Sequence, residues 1–438
     1  MRVPDTVRWL STHGLARTVL RREARRGNLN ARLLMDPAMR ANPYPHLERL
    51  RAEYPFTNAL TGKLTVHHDI GTEVLRSDDF GTASYGGAPR SVRQVLHWMA
   101  PQSARSVIEP PSMLASDPPE HSRYRKLVTR AFTVKAVNAL RERAEQIAAE
   151  LLDDLPANGA SGPVDLVQAY AAPLPVIVIC EILGAPTSMR ERFLAWGDDA
   201  ASSLDLGLDR RAFARAQRGI DSLLDWLRGH FDTLRRSPGE DILSQLVTAS
   251  DADNEGLNET ELLATSMLVL AAGFETTVNL IANGIALLEE HPDQRALLAE
   301  RPDLWPTAVD EILRFDSPVS RTARRALRDT EVAGVRIRRD EIVVISLAGT
   351  NRDPQVFEDA ARFDVTRPNA GKHLAFSSGI HHCLGASLAR MEGTVALRGL
   401  YERFPDLTLV GQPRRRPTSN LRGYQAMSAE LSGTTVAR

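Results

Sequence analysis

Apolar positions along this chain recur mainly with helical spacing, and strand-like alternation is sparse. The clearest stretch begins at Asn258, with Glu261 three residues on as a capping partner, and ends at His291-Pro292, where proline stops it. At ~1.5 Å per residue it spans about 48 Å, enough to cross a domain. Leu262, Leu263, Leu268, Leu270 and Leu280 make it apolar on most sides, so it is expected to be buried. Two further helices are predicted from about Pro306 and from Ala386 to about Tyr401. Two-residue alternation occurs at Lys63–His67, Glu331–Ile337 and Glu341–Ile345, the last two predicted as a hairpin around Arg339-Asp340. Pro- and Gly-rich clusters at Pro156–Pro163, Ser237–Glu240 and Gly411–Pro417 read as loops between elements. No repeat or low-complexity tract divides the chain. The expectation is a mainly α single domain with a small β-rich region over 36–438, preceded by a basic N-terminal extension, 1–35.

Within the long helix, Ala272-Gly273-Phe274-Glu275-Thr276-Thr277 breaks the apolar pattern. Gly273 costs ~1 kcal/mol against alanine, and an unpaired buried carboxylate costs more. Such a conflict between local rule and global fold is expected at a functional site. A bland account exists, since a mid-helix threonine often donates to the carbonyl four residues earlier. Thr276 and Ala272 have that spacing.

The chain holds two cysteines, Cys180 and Cys383. Cys180 ends the apolar run Val176–Cys180 and reads as a small buried hydrophobe. Cys383 lies in Phe376-Ser-Ser-Gly379-Ile-His381-His-Cys383-Leu-Gly385, just before a predicted helix. Glycines there let backbone approach a flat object closely. Backbone N–H groups and the positive helix end are expected to lower the thiol pKa. A thiolate in that setting can ligate heme iron.

The frame Phe-x-x-Gly-x-His-x-Cys-x-Gly resembles the heme-binding loop of the cytochrome P450 family. Further segments match in the expected order from about Asp36 to Gly423: the Ala272–Thr277 groove, Glu311-x-x-Arg314, and Asn351-Arg-Asp-Pro354 with Phe363-Asp364 and Arg367-Pro368. The resemblance implies a triangular prism-like fold with heme b buried between the long central helix and the helix after Cys383. It implies Cys383 as axial thiolate, with Phe376, Gly379, His381 and Gly385 around it. Ala272 and Gly273 would form the oxygen groove, and Glu275 and Thr276 would deliver protons to O2. Glu275 departs mildly from the commoner aspartate. Asn279, one turn on, could hold Glu275 or the helix backbone. His121, Arg125, Arg324 and His381 would hold the heme propionates. Arg324 is favoured over Arg325 by its spacing to Ala326 and Asp329. Glu311, Arg314 and Arg367 would form a structural charge network. Leu96, Trp98, Met267, Ala271, Val319, Ala323 and Met427 would line an apolar pocket for a lipophilic small molecule.

The implied function is a monooxygenase whose electrons come from NAD(P)H through a ferredoxin and its reductase, because the chain has no flavin or iron–sulfur region. Lys126, Arg130 and Arg390 are candidates for docking that partner. A peroxygenase using hydrogen peroxide, and a non-catalytic heme sensor, share this fold; the Glu275-Thr276 pair argues against both. Net charge is −1, which implies no pull toward nucleic acid. The apolar runs Met267–Phe274 and Ala171–Cys180 are too short to span a membrane, and two cysteines suit the cytoplasm. A monomer is expected. Residues 1–32 hold eight arginines against Asp5 and Glu23, a net +6. Trp9, Leu10, Leu15, Val19 and Leu20 could place this stretch on an anionic membrane, but packing on the protein is the favoured reading.

Overall fold

The structure, a computed structural model, describes residues 5–59, 62–83, 107–155, 162–252 and 256–431. An N-terminal arm runs through Asp5–Trp9 (α1), a π turn at Leu10–Gly14 and Leu15–Arg25 (α2). Strands Thr57–Ala59 (β1) and Gly62–Thr65 (β2), helix His68–Arg76 (α3) and strand Phe80–Thr82 (β3) follow. The main helices are then Glu120–Thr129 (α4), Arg141–Asp153 (α5), Pro173–Leu183 (α6), Arg190–Ala201 (α7), Arg210–Arg236 (α8), Glu259–Glu290 (α9) and Trp305–Phe315 (α10). Strands Thr322–Ala326 (β4), Thr330–Val332 (β5), Val335–Ile337 (β6) and Ile342–Ile345 (β7) precede helix Ala386–Arg403 (α11). Arg414–Arg415 (β8) and Tyr424–Ala426 (β9) pair near the end.

The helix predicted from the capping signal is α9, and its cap is reciprocal. Asn258 Oδ1 accepts from the Glu261 N–H at 3.0 Å, and Glu261 Oε2 accepts from the Asn258 N–H at 2.9 Å. Around α9 pack α6, α8, α10 and α11. Close crossings use glycine: a Cβ at Gly284 would lie 2.6 Å from Leu397 of α11, and one at Gly393 would lie 3.0 Å from Leu280. Among the described residues, α9 is the one helix long and apolar enough to cross a membrane. Since 78% of its most apolar window is buried inside the protein, it is a core helix.

The β region departs from the sequence expectation. Glu331–Ile337 is not one arm of a hairpin with Glu341–Ile345; it is itself a hairpin, β5 against β6. Its turn is Ala333-Gly334, both at positive φ (48° and 76°), the geometry that matches the twist of paired strands. β7 instead joins a five-stranded sheet of order β1-β2-β7-β4-β3, parallel to β2 and antiparallel to β4. That sheet sets Arg324 on β4 beside β3.

Beneath α10 lies a fully buried charge network. Both Glu311 oxygens accept from Arg314, at 2.6 and 2.7 Å, and Glu311 also accepts from Arg367 at 3.2 Å. Arg314 donates onward to the carbonyls of Asn351, Ala360 and Arg362. Removing one partner of such a buried pair costs about 3–5 kcal/mol, because the other charge is stranded.

Candidate active site

Residues in the middle of α9 are accessible although the helix around them is not. Met267, Phe274, Val278 and Leu280 are each about 1% exposed, whereas Ala272 is exposed and Ala271, Gly273 and Thr276 are half-buried. Accessible surface on a core helix means that it lines an internal hollow. Thr276 Oγ1 donates to the Ala272 carbonyl at 3.0 Å, so both face that hollow one turn apart. Gly273 has another duty: a Cβ there would meet Ile179 of α6 at 2.9 Å, so its smallness admits α6.

The Cys383 loop is built against α3 and α11. Cys383 N–H donates to the Phe376 carbonyl at 2.9 Å, closing the loop. Gly379 sits at φ +70°, and a Cβ there would lie 2.2 Å from the Leu75 carbonyl oxygen. That glycine is therefore demanded by packing on α3. Gly385 has open space beside it, and its N–H bonds to the Cys383 sulfur. Cys383 is accessible while deeply surrounded by protein. Its acidity is pulled both ways: burial raises the thiol, while the Gly385 N–H, Arg125 and Arg390 lower it. Burial wins, contrary to the sequence expectation. Phe376 is roofed by Arg390, whose guanidinium lies 4.7 Å from the ring centre. Arg390 also donates to Asp310 at 2.6 Å, and His373 Nε2 meets the same oxygen at 3.3 Å. Arg390 thus braces the loop, while Lys126 and Arg130 are exposed.

Four cationic or imidazole groups converge beside this loop. The rings of His121 and His381 lie 4.2 Å apart, and each buries an Nε2 with no hydrogen-bond partner among the described residues. Arg324 is buried, donating to the Ala323 carbonyl and Thr322 hydroxyl, and burial lowers it to about 10 with only Asp117 opposing. Arg325 instead pairs with Asp340 at 3.1 Å. Arg125 donates to the His382 carbonyl at 2.8 Å. Burial, with Arg324, His121 and Arg125, drives His381 down to about 3. Unpartnered imidazole nitrogens beside buried Arg324 and Arg125 make a positive field of the kind that suits a bound anion. Together with the accessible thiol and the hollow under α9, they fit a heme with two carboxylates.

Glu275 is buried and has an ion partner that the sequence did not reveal. Its Oε2 lies 3.4 Å from Arg416, which donates to Asp198 of α7 at 2.7 Å. Burial raises the Glu275 carboxyl, opposed by Arg416 and reinforced by Asp198. Arg416 follows β8, in the stretch read as a plain loop. Asn279 does not hold Glu275: both its amide atoms are unpartnered among the described residues, and it abuts Gly423. Glu392 of α11 is a second buried carboxyl, pushed well up by burial and hydrogen-bonded to Thr277.

Of the pocket candidates, Ala271, Val319 and Ala323 keep accessible surface. Met267 (1% exposed) and Met427 (0%) belong to the packed core, so neither lines a hollow. Leu96 and Trp98 lie outside the described residues.

Comparison with known proteins agrees with this geometry. The sequence model of the family described as Cytochrome P450 matches residues 102–301 and 303–422. Cytochrome P450 140 of Mycobacterium tuberculosis is 48% identical over 432 residues, 98% of each chain. The 6-deoxyerythronolide B hydroxylase of Saccharopolyspora erythraea is 44% identical over 325 residues, 74% of this chain and 78% of that one. The crystal structure of Mycobacterium smegmatis CYP164A2 superposes with a TM-score of 0.82 at 33% identity, covering 92% of this chain and 99% of that one. By its site, its fold and these relatives, the chain belongs to the cytochrome P450 family.

Proposed function

We propose that the protein inserts one atom of O2 into a lipophilic small molecule, with electrons passed from NAD(P)H through a ferredoxin and its reductase in the cytoplasm. The observation that carries this reading is the acid–alcohol pair on α9: accessible Thr276 beside buried Glu275. Cys383, with His121, Arg125, Arg324 and His381, would hold heme b, which would supply the oxygen activation that no side chain here could. The chain's own residues position and protonate. Thr276, tethered to the Ala272 carbonyl, presents its hydroxyl oxygen to the hollow. Burial and Asp198 raise the Glu275 carboxyl against the pull of Arg416, which favours its protonated form and lets it act as a proton donor beside Thr276. Ala271, Val319 and Ala323 offer apolar surface that keeps water out and suits a lipophilic substrate. The hydroxylase name of one relative supports the same reaction class.

Turnover of a lipophilic test panel with a surrogate ferredoxin system checks the proposal. Product is expected with NAD(P)H, and Thr276→Ala should keep consuming NAD(P)H while most of it is diverted to peroxide. Product only with hydrogen peroxide and none with NAD(P)H, or unchanged coupling in the variant, would contradict it.

A further inference from the structure

The N-terminal arm divides the apolar stripe expected to pack on the protein. Its inner side is fixed to the loop between α7 and α8. Trp9 Nε1 donates to the Leu208 carbonyl at 3.0 Å, Arg17 donates to the Gly207 carbonyl at 2.8 Å, and Leu20 is fully buried. Arg8 donates to Gln217 at 2.9 Å. The outer side keeps three aliphatic side chains in solvent: Leu15 is 70% exposed, and Leu10 and Val19 are 47% exposed. On α2, positions 15, 19, 22 and 26 share one face, so the aliphatics continue directly into arginines. Arg21, Arg22 and Arg25 are exposed and form no ion pair with a described residue; Arg26 pairs only with Glu23, at 3.0 Å.

We propose that this outer face docks on the surface of an anionic lipid bilayer. The charge distribution selects that occupant. Residues 1–32 carry +6 while the whole chain carries −1, so the remainder carries −7 and the net positive charge along the chain is concentrated in this segment. Two +6 arms would repel across a symmetric contact, which disfavours a second copy. A helix lying in a bilayer interface needs aliphatics directed inward and long cations that reach back to headgroups, and this face offers both. Each arginine near an anionic surface adds to the attraction, and salt screens it. Because the inner side is bolted to the α7–α8 loop, docking brings that loop to the membrane.

The test mixes heme-loaded, full-length protein with vesicles of phosphatidylglycerol and phosphatidylcholine, or of phosphatidylcholine alone, followed by sedimentation. The protein should sediment with the anionic vesicles at low salt and be released at high salt. The double variant Leu15→Ser/Val19→Ser and the triple variant Arg21→Gln/Arg22→Gln/Arg25→Gln should each weaken binding at least about tenfold while keeping the heme spectrum. No sedimentation at low salt, equal binding to neutral vesicles, or indifference to both variants would overturn the proposal. So would a concentration-dependent dimer abolished by the same variants, which would assign the face to a second copy.

Discussion

Glu275 and Arg416 illustrate how a single side chain sets the chemistry of another. Burial lifts the Glu275 carboxyl and Arg416, 3.4 Å away, pulls it down. Arg416→Gln removes the opposing influence, so the carboxyl should rise further and stay protonated to higher pH. The alkaline midpoint of coupled turnover, read as peroxide released per NAD(P)H consumed, should move upward, and Arg416→Lys should restore it. An unmoved profile would mean that Glu275 carries no proton to the site. Arg416 was invisible in the sequence because it is remote along the chain and stands in a Pro/Arg-rich stretch that looks like a linker. Cys383, Thr276 and the Glu311–Arg314 pair were legible, since each relation is set by spacing within one loop or one helix face. Met267 and Met427 were misplaced because an apolar residue looks the same whether it faces a pocket or a core. Burial alone separates the two.

At the scale of elements, local rules succeeded where the signal was local. The α9 boundary followed from one capping box and one proline. The β5–β6 hairpin was missed because its turn residue Ala333 lacks the Asn or Asp signature, and pairing of β7 with β2 is a contact between distant segments. The Cys383 loop shows how an element can hang on one atom. Gly379→Ala places a methyl against the Leu75 carbonyl at 2.2 Å, at a φ of +70° that alanine resists. The loop must move off α3, and the protein should lose about 2 kcal/mol or more of stability together with most of its bound heme. Heme per chain and thermal unfolding measure both; a variant with full heme and unchanged melting would show that α3 does not set the loop.

Across the whole molecule, the cluster of His121, His381, Arg125 and Arg324 should link heme loading to pH. His381 falls to about 3 in the folded chain against 6.5 when unfolded. A depressed folded value gives stability that is complete above pH 6.5 and is lost as pH falls toward 3. Between pH 6.5 and 5, heme-free protein should lose about 2 kcal/mol from this residue alone. Heme carboxylates facing His121 and His381 would favour the protonated imidazoles, so the loaded protein should lose less. Melting curves of both forms across that range test this, and a heme-free protein as acid-resistant as the loaded one would contradict the anion site. Most of the scaffold was readable as one mainly helical domain. The split apolar stripe of the N-terminal arm was not, because which side of α2 meets the α7–α8 loop depends on a surface assembled elsewhere in the chain.

A monooxygenase of this family built on this site requires Cys383 to give its sulfur to a heme iron. The absorption spectrum of the reduced protein with carbon monoxide tests it most directly, with Cys383→Ser as the control. A strongly red-shifted Soret band, lost in the variant, is the predicted result. A band at the ordinary position in fresh, folded protein, or a red-shifted band that survives Cys383→Ser, would mean that Cys383 is not the ligand.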